Sequence, residues 1–230
     1  MTGERRIGRR VIGLLSCAAL FAAALLVFFR AHRFSAYEDA RAEAKSIESA
    51  FPGLESDLRA AARFPGHPAA LGELGRIYME RALAENQFGS AEKREEYLDR
   101  ARDVLKDQIR KNPLDANSFY RLGIVYTLYN YPLMTYAEKG WDYFIRALEL
   151  APSDEFLNVN GLYIFLTKWD GLDRKTQEFV RGRLREVADF NPAFILKIGD
   201  LWSKNFGNRD SLREILARDE KLWLRIKRMV

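Results

Sequence analysis

The chain has 230 residues, of which 48% are hydrophobic, 30% charged and 13% aromatic. That composition excludes a disordered or collagen-like chain, and a single cysteine, Cys17, excludes a disulfide scaffold. The net charge of +5 is concentrated at one end: Arg5, Arg6, Arg9 and Arg10 against Glu4 put +3 on residues 1–29, leaving +2 for everything after them. A nucleic-acid-binding protein carries its basic face on the folded domain, so nucleic acid is not an expected partner.

Residues 11–29 read VIGLLSCAALFAAALLVFF without a charge. As a helix rising 1.5 Å per residue they span about 28 Å, close to the roughly 30 Å hydrocarbon core of a bilayer. All backbone polar groups of such a helix are satisfied internally. Arg9 and Arg10 at one end, and Arg30 and Arg33 at the other, reach the headgroups. The expectation is a retained signal anchor spanning the bilayer. Two alternatives stay open: a signal peptide cleaved after the Ala22–Ala24 run, and a lipoprotein acylated at Cys17. The second needs its apolar run before Cys17, yet only six residues of the stretch precede it and twelve follow. The arginine bias puts residues 1–10 in the cytoplasm and the rest of a single-pass inner (plasma) membrane protein in the periplasm or another extracytoplasmic space. Residues 30–64 then form a helical linker, in which 36–50 is a mixed-charge helix broken by Pro52-Gly53.

Beyond residue 65 the chain repeats itself. Leu71, Leu74, Gly75 and Tyr78 are echoed by Phe119, Leu122, Gly123 and Tyr126, by Leu157, Asn160, Gly161 and Ile164, and by Ile195, Ile198, Gly199 and Trp202. The glycines are 48, 38 and 38 residues apart, and Pro65, Pro113, Pro152 and Pro192 keep step with them. Two antiparallel helices cannot bury their apolar faces alone, so each pair stacks on the next. A glycine lets a neighbouring helix approach, and a proline ends the second helix of a pair. Ile124–Thr127 and Leu162–Phe165 are β-prone in isolation. Each follows a repeat glycine inside a helix-length segment, so both are read as buried helix.

This pattern resembles the tetratricopeptide repeat. The second repeat matches best, with Phe119, Leu122, Gly123 and Tyr126 followed by Gly140, Phe144, Ala147 and Pro152; the first supplies Ala101, Leu105 and Pro113 in its second helix. The resemblance covers residues 65–205. It departs from the family in repeat length, which exceeds 34 residues, and in degenerate third and fourth repeats. Extra residues near 86–92 and 129–135 lengthen helices or loops. The expected fold is all-α: an N-terminal single transmembrane helix at 11–29, then, as the resemblance implies, a tetratricopeptide-like α-solenoid of about four helix pairs at 65–205, with capping helices at 206–230.

Capping residues mark the boundaries. Asp115 and Asp154 precede first helices, Asp173 precedes a second helix, and Ser211 with Glu214 forms a capping box that starts a helix near the C-terminus. Pro132 suits a helix first turn. Trp141, Tyr143 and Phe144 have helical spacing and are read as core. Trp202 and Trp223 are expected to cover the open face of the last pair. The apolar and basic residues of the final stretch, Lys221 to Val230, serve that cap or contact a membrane surface or a partner.

Little in the chain can carry chemistry. It has no phosphate-binding glycine loop, no G-x-S-x-G elbow, no H-E-x-x-H and no C-x-x-C. His67 lies in a Pro-Gly turn and His32 in the headgroup zone, while Glu92, Glu95 and Glu96 alternate with Lys93 and Arg94 as on a solvated helix. No enzymatic activity, cofactor or metal is expected. In tetratricopeptide proteins the first helices line a concave surface that takes peptides or partner helices. Counting from the repeat glycine, the resemblance places Arg76, Asn117, Tyr120, Arg121, Ile124, Asn158, Leu162, Phe165 and Lys197 on that surface, which otherwise is an ordinary solvated face. The family's clamp for chaperone tails uses a Lys and an Asn where this chain has Gly72 and Arg76, so that function is not implied. The expected function is a membrane-anchored scaffold for protein–protein interactions, a subunit or assembly factor of a cell-envelope complex. The alternative is an accessory structural subunit held in a larger membrane complex by its transmembrane helix, through the small face of Ala18, Ala19, Ala22 and Ala23.

Overall fold

A computed structural model of the chain describes residues 51–63, 68–88, 90–129, 138–207 and 209–226. The 11–29 segment, residues 36–50, both histidines and Pro132 lie outside them. Among the described residues there is no strand, and no helix is long and apolar enough to cross a membrane. The helices are α1 (Phe51–Ala62), α2 (Pro68–Phe88), α3 (Ala91–Lys111), α4 (Ala116–Tyr129), α5 (Glu138–Leu150), α6 (Glu155–Thr167), α7 (Arg174–Phe190), α8 (Ala193–Phe206), α9 (Asp210–Ala217) and α10 (Glu220–Ile226), with a 3-10 turn at Trp169–Gly171. Both β-prone segments are helical, inside α4 and α6. Pro52 and Gly53 sit in the first turn of α1, where proline's missing N–H has no intrahelical partner to lose; the 36–50 stretch they were expected to end lies outside the described residues.

The chain forms two compact units that meet within α2, one ending at Ile77 and the other starting at Tyr78. In the first unit Leu54, Leu58 and Ala61 are buried at i, i+4 and i+7 along α1, and Leu71, Leu74 and Ile77 are buried in the first half of α2. Arg59–Glu55 and Arg76–Glu73 ion pairs brace the polar sides.

The second unit is built from stripes and caps. Along α3, Leu98, Ala101, Leu105 and Gln108 are buried at helical spacing, and the charged residues take the other side. Asp115 caps α4 by accepting the Ser118 N–H at 3.3 Å, and it also accepts a hydrogen bond from Gln108 of α3 at 2.9 Å. Asp154 accepts the Leu157 N–H at 2.8 Å and Asp173 the Thr176 N–H at 2.7 Å, capping α6 and α7. Ser211 departs from its expected role. Helix α9 begins at Asp210, one residue earlier, without a side-chain cap, and the Ser211 hydroxyl instead accepts the indole N–H of buried Trp202 at 3.2 Å. A buried indole N–H needs an acceptor, and that need takes the serine.

Each helix from α3 to α8 packs on the next, and α6 also touches α4 and α8. The repeat glycines sit at close approaches. A Cβ on Gly123 would lie 3.0 Å from the ring of Phe144 in α5, and one on Gly161 would lie 3.2 Å from Leu148 in the same helix. Gly199 meets a side chain instead, the Arg209 guanidinium at 3.3 Å. Phe144 is fully buried, and Trp141 and Tyr143 beside it are half-buried. At the C-terminal end Trp202, Leu212, Leu216 and Leu222 are buried in one core, with Trp223 packed against it. Arg185 of α7 holds Asp219, whose carboxylate also caps α10 through the Leu222 N–H. Burial pushes the Asp219 carboxyl up, but the Arg185 and Leu222 hydrogen bonds and the nearby arginine charges outweigh it and hold the pKa below the usual range.

Two glycines should therefore respond with opposite sign. The Phe144 ring facing Gly123 is hemmed in by Tyr120, Trp141 and Phe165 and cannot give way. Gly123→Ala is expected to lower stability by about 1–2 kcal/mol. Gly182 lies inside α7 with open space where a Cβ would go, so Gly182→Ala should raise stability by about 0.5–1 kcal/mol. Urea unfolding followed by helical ellipticity measures both. A Gly123→Ala protein as stable as the parent would contradict the close packing of α4 on α5.

Candidate functional site

The structure divides the expected groove residues. On α4, Asn117 is exposed, and Tyr120, Arg121 and Ile124 are half-buried along the same side of the helix. Tyr120 is committed to packing, with its ring edge-on to Phe144 at 5.5 Å and to Phe156 at 5.6 Å. Lys197 of α8 is exposed and ion-paired with Glu155 of α6. Asn158, Leu162 and Phe165 do not line a surface. All three are 0% exposed, because α6 is enclosed by α4, α5, α7 and α8 and turns these positions inward. Arg76 belongs to the first unit, where it is half-buried and paired with Glu73 at 2.8 Å.

Asn158 has a structural task. Its amide donates to the carbonyls of Asp154 at 2.6 Å and Pro152 at 3.2 Å. Its oxygen accepts from Arg183 Nε at 3.0 Å and Nη2 at 2.9 Å. Arg183 also donates to the Pro152 carbonyl and pairs with Glu186 at 2.6 Å. One guanidinium of α7 thus ties the α5–α6 connection to α6. The sequence held a signal for this: Arg183 stands on the apolar stripe of Val180, Leu184 and Val187, where a charge is costly unless it is met by acceptors.

Two grooves lie among the described residues of the second unit. The first lies between α6 and α8 and has a volume of about 290 Å³. Val159 and Leu201 form its apolar base, and Asn160, Lys197, Asp200 and Lys204 its polar edge. The Lys197–Glu155 and Asp200–Arg209 pairs neutralise one another in turn. Lys204 makes no ion pair among the described residues, which leaves the edge one positive charge.

The second groove was not foreseen. It has a volume of about 550 Å³ and lies between α3 and α5 with α4 beneath, lined by Asp103, Lys106, Ile109, Arg110, Leu122 and Tyr143. Tyr126 of α4 and Tyr143 of α5 stack at 5.4 Å, with their rings 5° from parallel. Nearby, the Tyr129 hydroxyl donates to Asp99 at 2.6 Å and accepts from Arg102 at 3.3 Å. Burial, then the Asp99 hydrogen bond, pushes the Tyr129 phenol upward. Phe119, Leu122, Tyr126 and Tyr129 recur at i, i+3, i+7 and i+10, which marks a second apolar side of α4; that spacing was the available signal. Among the described residues no three His, Cys, Asp or Glu side chains converge to hold a metal.

Compared with known proteins, the chain matches no family model and no curated protein.

Removing the Asn158 side chain should leave Arg183 buried without its main acceptor. Asn158→Ala is expected to cost about 3 kcal/mol. Asn160→Ala, one turn-edge away on the open side, should stay within about 0.5 kcal/mol. Equal shifts in the urea midpoint would show that Asn158 is not part of a clamp.

Proposed function

We propose that the chain is a membrane-anchored scaffold of tetratricopeptide type, which docks a partner protein segment on the ledge formed by α4, α6 and α8. The single observation that carries this is the order of packing. Alternate helices α4, α6 and α8 touch in series, while α5 and α7 fill the spaces between them, as stacked pairs α4/α5 and α6/α7 followed by α8 require. Such stacking leaves one edge of every first helix free, and here that edge carries Asn117, Arg121, Asn160, Lys197 and Lys204. The repeat spacing of Gly123, Gly161 and Gly199 supports the same assignment. The uncharged stretch 11–29 supplies the anchor, with the N-terminus in the cytoplasm and the helical domain on the other side of the inner membrane. The work of such a protein is assembly of an envelope complex rather than chemistry.

The ledge is tested by the full chain purified in mild detergent with whatever it captures from membranes of its own cell. Tyr120 is unsuited as a probe, since its ring holds Phe144 and Phe156 in place. Asn160→Ala combined with Lys204→Glu alters only the open edge. The double variant should fold and insert as the parent does, yet retain its partner at least about tenfold less well. Undiminished capture would move the docking surface off the ledge, to the membrane helix or the basic C-terminal stretch.

A further inference from the structure

The α3–α4–α5 groove faces away from the ledge. At 3.6 residues per turn, Phe119, Leu122 and Tyr126 lie roughly 160° around α4 from Asn117, Arg121 and Ile124. Whatever occupies the groove therefore does not compete with a partner on the ledge. Its chemistry is legible from its walls. Leu122 at the bottom is 0% exposed, and Ile109 and Tyr143 flank it, both half-buried. Tyr143 is fixed from behind by the Tyr126 ring and by Phe119 at 6.3 Å. This is a rigid apolar seat with an aromatic wall.

The rim is basic. Of its three charged residues, Asp103 is already paired with Arg102 at 3.1 Å, and Arg110 with Asp107 at 3.3 Å across an exposed gap. Lys106 makes no ion pair among the described residues. Its ammonium stands 6.0 Å from the Tyr126 ring centre, the outer limit of a cation–π contact, so it is weakly held and available. Burial, followed by Tyr126 alongside, pushes the Tyr143 phenol up. Among the described lining residues the one carboxylate, Asp103, is paired, and Asp142 acts on the Tyr143 phenol from α5; the cations of the α3 wall complement an anionic group.

Size narrows the class. A volume of about 550 Å³ falls in the range of small-molecule and peptide sites, roughly 300–1,000 Å³. From Asp103 to Arg110 the rim follows α3 for about 10 Å, the reach of about three extended residues. An open trough of that length suits a short segment of chain better than an enclosed metabolite.

We infer that this groove is a second recognition site, which binds a short extended peptide of a partner protein carrying an aromatic anchor flanked by carboxylates. The anchor ring lies on Ile109 against Tyr143. The carboxylates meet Lys106 and Arg110, and the Asp103 end, already neutralised by Arg102, takes no acid. The protein then holds two partners on opposite sides of one helix layer.

The probe is a biotinylated Gly-Asp-Phe-Glu-Asp-Gly peptide on a sensor surface, with the full chain in mild detergent passed over it. Two controls replace the acids by their amides and the phenylalanine by alanine. Saturable binding is expected to the parent peptide, weakened about tenfold or more in each control. Lys106→Glu and Arg110→Ala should each weaken it to a similar degree, and Lys204→Glu on the ledge should leave it unchanged. Lys106→Met keeps the stem over Tyr126 and removes only the charge, so it gives the same reading if Lys106→Glu disturbs α3. The inference is overturned by absence of saturable binding, by equal binding in the Lys106 variants, or by loss of binding in Lys204→Glu, which would seat the peptide on the ledge.

Discussion

Helix α6 has almost no polar circumference, and the second unit is organised around that fact. Of its thirteen residues, Leu157, Asn158, Val159, Gly161, Leu162, Phe165 and Leu166 are buried over a little more than half the circumference, and Phe156, Tyr163 and Ile164 carry apolar surface round much of the rest. A helix with one apolar stripe can lie on a surface; one that is apolar nearly all round must be enclosed. Four helices do this, α4, α5, α7 and α8. Each fully buried Leu or Phe contributes about 1.5–3 kcal/mol by leaving water, so the driving force for gathering these neighbours is large. Two concessions make the enclosure fit. Gly161 gives up its side chain so that Leu148 can approach, and Asn158 is kept at the centre because Arg183 and two carbonyls satisfy its amide. The side of Phe156, Asn160, Tyr163, Ile164 and Thr167 stays partly open.

Much of this was legible in the sequence, and the misses share a cause. The caps at Asp115, Asp154 and Asp173 are local: a short acidic side chain before an apolar run acts on the N–H groups two or three residues ahead, whatever surrounds it. Gly123 was legible because the large residues flanking it imply something packed on the gap. The groove positions were harder. Counting from the glycine places Tyr120 and Ile124 on an open side of α4, yet the same count in α6 gives Asn158 and Leu162, which are fully buried. Spacing fixes which residues share a face but not what covers that face, and α6 has helices where α4 has solvent. Ser211 failed for a related reason, since a distant indole took its hydroxyl. Tyr143 was read as core on its helical spacing, and its exposed edge on the α3–α5 groove depends on a helix some 40 residues earlier in the chain.

The two grooves differ in kind, and the difference follows from the helices that make them. The ledge is built from first helices in series, polar at its edge and shallow. The α3–α5 groove is set between two second helices over an apolar floor, with its cations on one wall. Each retains one lysine, Lys204 or Lys106, that makes no ion pair among the described residues, while the charges beside them, Lys197, Asp200, Asp103 and Arg110, are paired. Such local pairs contribute little stability individually. They do remove free charge from the surface, so the two unpaired cations stand out as the places where an anionic group gains most.

The central claim is that α6 is the fixed element around which the second unit assembles. Native-state hydrogen exchange on the full chain in mild detergent tests it directly, because exchange by global unfolding marks the last structure to open. The amides of Leu162, Phe165 and Leu166 should be among the slowest, joined by the α4 and α8 residues that face them, while those of α9 and α10 open earlier. Exchange in α6 as fast as in α9 and α10 would contradict the account.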